Sequence, residues 1–362
     1  MHEIDRLEWR SGDAPDAPTA LAEFLSTHGL SGELGSQRGS ASVVLLAGAV
    51  GCAHLGGLPA GAASPVPAVP ELVAVAVAGP AGPAGPAAAR PPAVGEWTAS
   101  WTAAEHAAAV SAVREAIARG DVYQANVVGH RSAPHRSAPG DIAVAVAGIG
   151  ASYAGVLTGE GWAVGCASPE QLVRVDGRRI TTVPIKGTRR IGPGSLEELR
   201  ASQKDRAEHV MIVDLERNDL ARVAVTGSVE VESLYDVNEW AGLWQAGSTV
   251  AAELLPGVGL LDVLRAVLPG GSVTGAPKHA ACGLLAALEP VGRGPAMGAF
   301  GVLRPDGLDL GLTIRTVGVD DDRVHLWAGG GITWGSDPAD EVAEAEAKAA
   351  PVMRALSAPS SG

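Results

Sequence analysis

The sequence predicts an α+β fold rather than a doubly wound sheet, on three observations. Helical and strand patterns follow one another in mixed order, without regular β–α–β alternation. Strand-like segments succeed each other directly between residues 162 and 185. No internal repeat is present that would indicate a solenoid or a propeller.

Residues 1–100 read as a reduced N-terminal part of the fold. Within it SVVLLAGAV (42–50) is a buried strand, far too short to span a membrane. LPAGAASPVPAVP (58–70) and AGPAGPAAARPPAVG (81–95) are Ala/Pro/Gly-rich and read as loop or linker. Periodicity begins at Trp101. A helix follows, capped by Thr102 with Glu105 three residues later and stopped by Gly120. DVYQANVVGHR (121–131) is a strand. WAVGCAS and QLVRVDGRRITTVPI add strands, with a turn at Asp176-Gly177. Thr181–Ile185 runs as a strand toward Gly187 and sets Lys186 at a strand end beside a turn. KDRAEHVMIVDLERNDLARV (204–223) has helical period. PGGSVTGAPKHAACGLLAAL (269–288) is a Gly-rich turn opening a helix, with Pro277 near its first turn. TIRTVGVDDDRVHLWAGGGI (313–332) is a hairpin whose second strand enters a glycine triplet. The last helix, 337–356, should break or kink at Pro351.

The chain has 362 residues, 46% of them hydrophobic, and a formal net charge of −13. Such acidity disfavours nucleic-acid binding and favours a soluble cytoplasmic protein. The N-terminus, MHEIDRLEWR, lacks the apolar stretch of a signal peptide. The three cysteines, Cys52, Cys166 and Cys282, are too far apart for a zinc site or a disulfide framework. No nucleic acid and no membrane is expected as a partner.

Acids recur at helical spacing. Asp205 and Glu208 are three apart, and so are Glu341 and Glu344, so each pair shares a helix face. If the two faces meet, four carboxylates converge and need a cation, and oxygen donors in a partly hydrated site suit Mg²⁺. Otherwise they are solvated faces. Lys348 follows Glu344 by four residues and can meet an anion beside the metal. Gly329, Gly330 and Gly331 let backbone N–H groups approach a ligand. Arg315 offers a planar fork to a carboxylate. A helix N-terminus follows PGGSVTGAPK and favours anions, but the spacing to Lys278 is not that of a phosphate-binding loop. Together these elements point to a dianionic small molecule beside a divalent cation. Lys186, in VPIKGTRR, reads either as a surface lysine or as a nucleophile.

From about residue 100 onward the motifs GDVYQANVVGHR, SPEQLVRVDGRRITTVPIKGTRR, DRAEHVMIVDLERNDLARV, PGGSVTGAPK, LTIRT, AGGGI and DEVAEAEAK resemble, in order, the chorismate-utilising enzymes related to anthranilate synthase component I. The resemblance implies two large, mostly antiparallel sheets packed together with helices outside, and a chorismate-binding catalytic region over 101–362. It implies Mg²⁺ held by Asp205, Glu208, Glu341 and Glu344, with Glu208 also counted in the reaction. By the same resemblance Arg315 and Lys348 hold carboxylates, Gly329–Gly331 give backbone donors, and Ser272 and Thr274 contact substrate. Water-using members carry a lysine base where this chain has Gln124, and a neutral amide cannot deprotonate water. Lys186 matches the lysine taken as the nucleophile in aminodeoxychorismate synthases, where anthranilate synthases have alanine. Its neutral form is needed, and Arg189 and Arg190 are neighbours able to favour it. Gln245 replaces the usual histidine, which fits an enzyme that keeps the enolpyruvyl group. The resemblance thus implies amination of chorismate at C4. The alternatives are amination at C2 and a catalytically silent chorismate-binding subunit. No cysteine sits in a glutaminase context, so a separate glutamine amidotransferase is the expected ammonia source. The Leu-Leu-Glu-Ser type segment that marks a tryptophan site in relatives is absent, so feedback inhibition is not predicted.

Overall fold

Strands that are apolar at every position must be covered on both faces, and Leu72–Ala78, LVAVAVA, is such a strand. The computed structural model, which describes residues 2–34, 41–78, 92–240 and 243–357, meets this demand with two large antiparallel sheets. The first has ten strands and runs from His2–Trp9 through Leu72–Ala78, Ala41–Ala47, Ala299–Arg304, Gly307–Leu312, Gln171–Asp176, Arg179–Val183 and Leu243–Glu253 to Ile185–Arg190. The second has seven and is centred on Gln124–Pro134 paired with Arg323–Ile332. The largest core draws Leu45, Leu72, Ile180 and Leu310 from the first sheet and Val128, Val164 and Trp327 from the second. Helices lie outside: Ala103–Arg119 and Lys278–Leu288 pack on the Gln124 strand through Val110, Val113, Val127 and Leu285.

The strands His2–Trp9, Ala41–Ala47 and Leu72–Ala78 are built into the first sheet, where Ala41–Ala47 pairs with Ala299–Arg304, while Thr98–Ala99 joins the second. The Ala/Pro/Gly-rich reading is met by irregular backbone over 58–70, and for 79–91 it lies outside the described residues. The Thr102 helix has its capping box, and Gly120 takes the left-handed conformation at its end. The turn falls one residue later than expected, at Gly177-Arg178, with Gly177 at φ 59° and Asp176 paired with Arg179.

Three further local expectations need correction. The last helix, Pro338–Leu356, continues through Pro351, so the expected break does not occur. Its buried stripe of Ala349, Val352 and Leu356 packs on Val317, Val319 and Val324, which offsets one lost helical hydrogen bond. Lys186 is not at a strand end. The preceding strand stops at Val183, and Lys186 is the second residue of a new strand, Ile185–Arg190. Arg315 lies not in a strand but in the connection between Gly307–Leu312 and Thr316–Val319.

The second sheet also buries a histidine pair. His130 Nε2 and His325 Nδ1 are 3.1 Å apart, and Ser100 Oγ is 2.5 Å from His130 Nδ1. Burial first, and then the neighbouring ring, pushes His130 down to about 3; burial pushes His325 down to about 4 despite Asp320. Both are lower folded than unfolded, so the unfolded chain binds the extra protons first. Stability from this pair is complete above about pH 6.5 and is lost as pH falls toward 4. His325→Gln is expected to flatten that acid slope in urea denaturation. Identical slopes for variant and wild type would show that the pair is not held neutral.

Candidate active site

The glycine triplet continues the ladder opposite the Gln124 strand, with Gly329, Gly330 and Gly331 facing Val128, Val127 and Asn126. The sequence needs glycine here because side chains crowd this strand. A Cβ at Gly331 would run into the Gln124 amide and lie 3.2 Å from Lys186 Nζ. One at Gly330 would lie 3.0 Å from Glu341 Oε2 and 3.7 Å from both Glu344 Oε1 and Lys348 Nζ. Gln124 is fully buried, and neither polar atom of its amide has a hydrogen-bond partner among the described residues.

Lys186 reaches this point because a β-bulge interrupts its strand between Ile185 and Thr188, with Gly187 at φ 83°. Its half-buried side chain donates to the Ser272 carbonyl at 3.4 Å. Burial lowers its pKa, and the charge of Lys348 lowers it further, against Glu170, Glu208 and Glu344. The assisting cation is therefore Lys348. Arg189 instead pairs with Asp205 at 2.8 Å.

The acids are distributed unevenly. Glu341 is buried, whereas Glu344 is exposed and pairs with Lys348 at 2.6 Å. Lys348 also donates to the Gly329 carbonyl at 3.0 Å. Glu341 and Glu344 flank Gly330, while Glu208 and Glu344 both act on Lys186. Among the described residues, no three His, Cys, Asp or Glu side chains form a group able to hold a metal ion. Arg189 pairs with Asp205 and Lys348 with Glu344 in this arrangement.

The remaining residues divide between the chamber and its supports. Ser272 and Thr274 are both buried in the turn around Gly271–Val273. The Ser272 hydroxyl faces the chamber side, donating to Glu170 Oε1 at 2.8 Å. The Thr274 hydroxyl turns back to the Gly270 carbonyl at 2.8 Å, and its own carbonyl accepts from Asn126 N–H. Arg315 is half-buried with φ 50°, a left-handed conformation that is costly for a side-chain residue and concentrates at functional sites. Gln245 is buried on the neighbouring strand, opposite Thr188.

Sequence reasoning missed Glu170. It is buried between strands, and both Ser272 Oγ and Ile185 N–H (3.4 Å) donate to its Oε1. Burial raises its pKa, against Lys186, Ser272 and Lys348. A single carboxylate in SPEQL carries no periodic signal. Glu216 and Asp219 were also missed, although the helix Gln203–Ala221 repeats there the three-residue spacing of Asp205 and Glu208. Both are 3% exposed, and Lys278 Nζ lies 2.5 Å from Asp219 Oδ2. Spacing alone does not separate an exposed acid pair from a buried one.

The sequence pattern of a family described as chorismate binding enzyme matches residues 66–354. The chain is 41% identical over 270 residues to anthranilate synthase component 1 of Streptomyces coelicolor, covering 72% of this chain and 53% of that protein. It is 34% identical over 275 residues to aminodeoxychorismate synthase component 1 of Bacillus subtilis, covering 74% of this chain and 58% of that one. The chain thus spans about half the length of the curated relatives it matches. Anthranilate synthase component I from Streptococcus pneumoniae TIGR4 superposes with a TM-score of 0.83 at 23% identity, over 98% of this chain and 91% of that one. That likeness bears out the two-sheet α+β fold.

The orphaned amide yields a prediction. Gln124→Met removes both unpartnered atoms at similar volume. The variant is expected to unfold with about 1–3 kcal/mol more free energy, the usual penalty of an unsatisfied buried group, and to turn over substrate more slowly. Urea denaturation beside an activity assay checks both; a destabilised variant would show that the amide is satisfied in solution.

Proposed function

The chain belongs to the chorismate binding enzyme family, and from that premise we propose that it aminates chorismate at C4, giving 4-amino-4-deoxychorismate and water. The observation that carries this reading is the placement of Lys186. It sits in the glycine-lined chamber beside Gln124, and burial and Lys348 favour its neutral, nucleophilic form. Glu170 supplies the complementary group. Two donors converge on its Oε1, leaving Oε2 to carry a proton, and burial favours that protonated form. In this reading the Lys186 amine bonds to the ring as the C4–O bond breaks. Glu170 protonates the departing hydroxyl to water, and ammonia then displaces Lys186.

Lys348 and Arg315 are the cations for the substrate carboxylates. Asp205, Glu208, Glu341 and Glu344 would hold Mg²⁺ by drawing together around it, since as they stand no three of them form one group. Their hard oxygen donors suit it, and the absence of a side chain at Gly330 leaves room beside Glu341 and Glu344. The ion would supply positive charge to the ring carboxylate. Ammonia would come from a glutamine amidotransferase partner, with free ammonia as a substitute. A second reading, amination at C2 leading to anthranilate, is favoured by the higher identity to the Streptomyces coelicolor relative. Lys186 argues against it.

Purified protein with chorismate, Mg²⁺ and ammonium is expected to yield 4-aminobenzoate only after an aminodeoxychorismate lyase is added, as read by chromatography with mass detection. Anthranilate in its place would overturn the C4 assignment. Lys186→Ala is expected to lower C4 amination on the order of 10²-fold or more, the scale on which loss of a reacting group acts, or to divert the product. An unchanged rate and product would remove Lys186 from the chemistry. In the wild type the rate is expected to rise with pH along the Lys186 limb, centred below the 10.5 of an ordinary lysine.

A further inference from the structure

Each cycle of the proposed reaction leaves Glu170 one proton short. Its O–H bond breaks to make water from the hydroxyl, while the extra proton of the incoming amine leaves with the product or to solvent. Something must restore that proton to a carboxyl that is buried against the Ser272 turn. Behind that turn lies a second buried acid. Glu216 is 3% exposed, and its Oε1 rests against Gly271, where an added Cβ would lie only 3.1 Å away. Gly271 precedes Ser272, whose hydroxyl already donates to Glu170. Thr182 Oγ1 donates to the other oxygen of Glu216, Oε2, at 3.4 Å.

Charge counting decides what Glu216 is. Glu216 and Asp219 are three residues apart on one helix, both buried; Lys278 is the cation in contact, and the Arg222 charge acts on Asp219 as well. Lys278 contacts Asp219, not Glu216, and donates also to the Val267 carbonyl at 3.1 Å. Two buried carboxylates cannot both ionise cheaply when the cations, Lys278 and Arg222, are on the Asp219 side. Asp219 keeps the charge and Glu216 keeps the proton. Burial and then the Asp219 charge push Glu216 up, and the Glu170 charge adds to this; Lys278 and Thr182 oppose it.

We propose that Glu216 is a proton-holding positioning residue that acts through Glu170, returning a proton to it across the Gly271–Ser272 turn after each turnover. The Glu216 O–H bond breaks and a Glu170 O–H bond forms. Glu216 is then recharged from solvent past Asp219 and Lys278, whose side chains are 4% and 10% exposed. The inference rests on the amination reading, with Glu170 as the acid that serves the leaving hydroxyl.

The test compares wild type and Glu216→Gln, as full chains with chorismate, Mg²⁺ and ammonium, in single-turnover and steady-state modes. Glutamine keeps the shape and neutrality of the protonated acid but has no proton to give. The variant is expected to keep its first-turnover burst and to lose steady-state rate by at least about tenfold, below the 10²–10⁴ that acid–base groups contribute in full. Its steady-state solvent deuterium isotope effect is expected to exceed that of wild type, a change that a merely structural role does not produce. Glu216→Asp, with an acid on a shorter arm, is expected to recover part of the rate and is the second variant if glutamine prevents folding. Equal loss of burst and steady state without a change in isotope effect would overturn the proposal, and so would wild-type rates in both variants. A wild type that forms no 4-amino product in the single turnover would instead overturn the amination reading itself.

Discussion

The chamber depends on one close approach of two backbones. The Gln124 strand and the glycine strand can lie beside Lys186 and the acidic helix only because residues 329–331 carry no side chain. Any Cβ at Gly331 would occupy the space where the Gln124 amide and the Lys186 amine meet, and one at Gly330 would press on Glu341. The triplet therefore acts less as a loop that wraps an anion than as a thin place in a wall. Through it, groups from the second sheet, the first sheet and the last helix reach one point.

A buried ion pair holds this arrangement from behind. Arg293 binds both oxygens of Glu289, at 2.8 and 2.7 Å, and its remaining donors reach the Val273 carbonyl at 2.7 Å and the Asn126 carbonyl at 2.6 Å. Glu289 in turn accepts from Val128 N–H at 3.0 Å. The Ser272 turn and the Gln124 strand are thus tied to one guanidinium whose donors are used in fixed directions. A buried pair of this kind is weak evidence for stability, since desolvation consumes much of its Coulomb gain. Its contribution here is geometric: it sets the distance between the turn that carries Ser272 and the strand that carries Gln124.

Much of the fold was legible because its signals are local. The capping box at Thr102, the glycine stop at 120, the turn at Gly177 and the hairpin ending in the triplet all follow from residues within a few positions of each other. The errors arose where tertiary packing overrides local preference. Pro351 stays helical because its helix is fixed by a buried stripe. Lys186 sits inside a strand because its neighbours pair with residues about sixty positions away, Ile185 with Gly247 and Thr188 with Gln245. Of the site, the residues carried by repeated spacing or glycine runs were found, whereas Glu170 was not. Nothing around it in sequence distinguishes a buried acid from a solvated one; its burial is created by strands that close over it from elsewhere.

Lys186 and Glu170 also show why this chamber is more than a collection of charges. As an ammonium and a carboxylate they would neutralise each other and do nothing to an ether or an alcohol. Burial works against the charged form of both, moving the lysine down and the acid up. Lys348 acts in opposite senses on the two, favouring a neutral amine at Lys186 but an ionised carboxylate at Glu170. Desolvation is the shared term, and a ligand that seals the chamber strengthens it. A ligand that seals this site therefore drives the two groups from opposite charges that cancel each other toward a neutral amine and a neutral acid, the two forms that the proposed displacement of a hydroxyl by an amine requires.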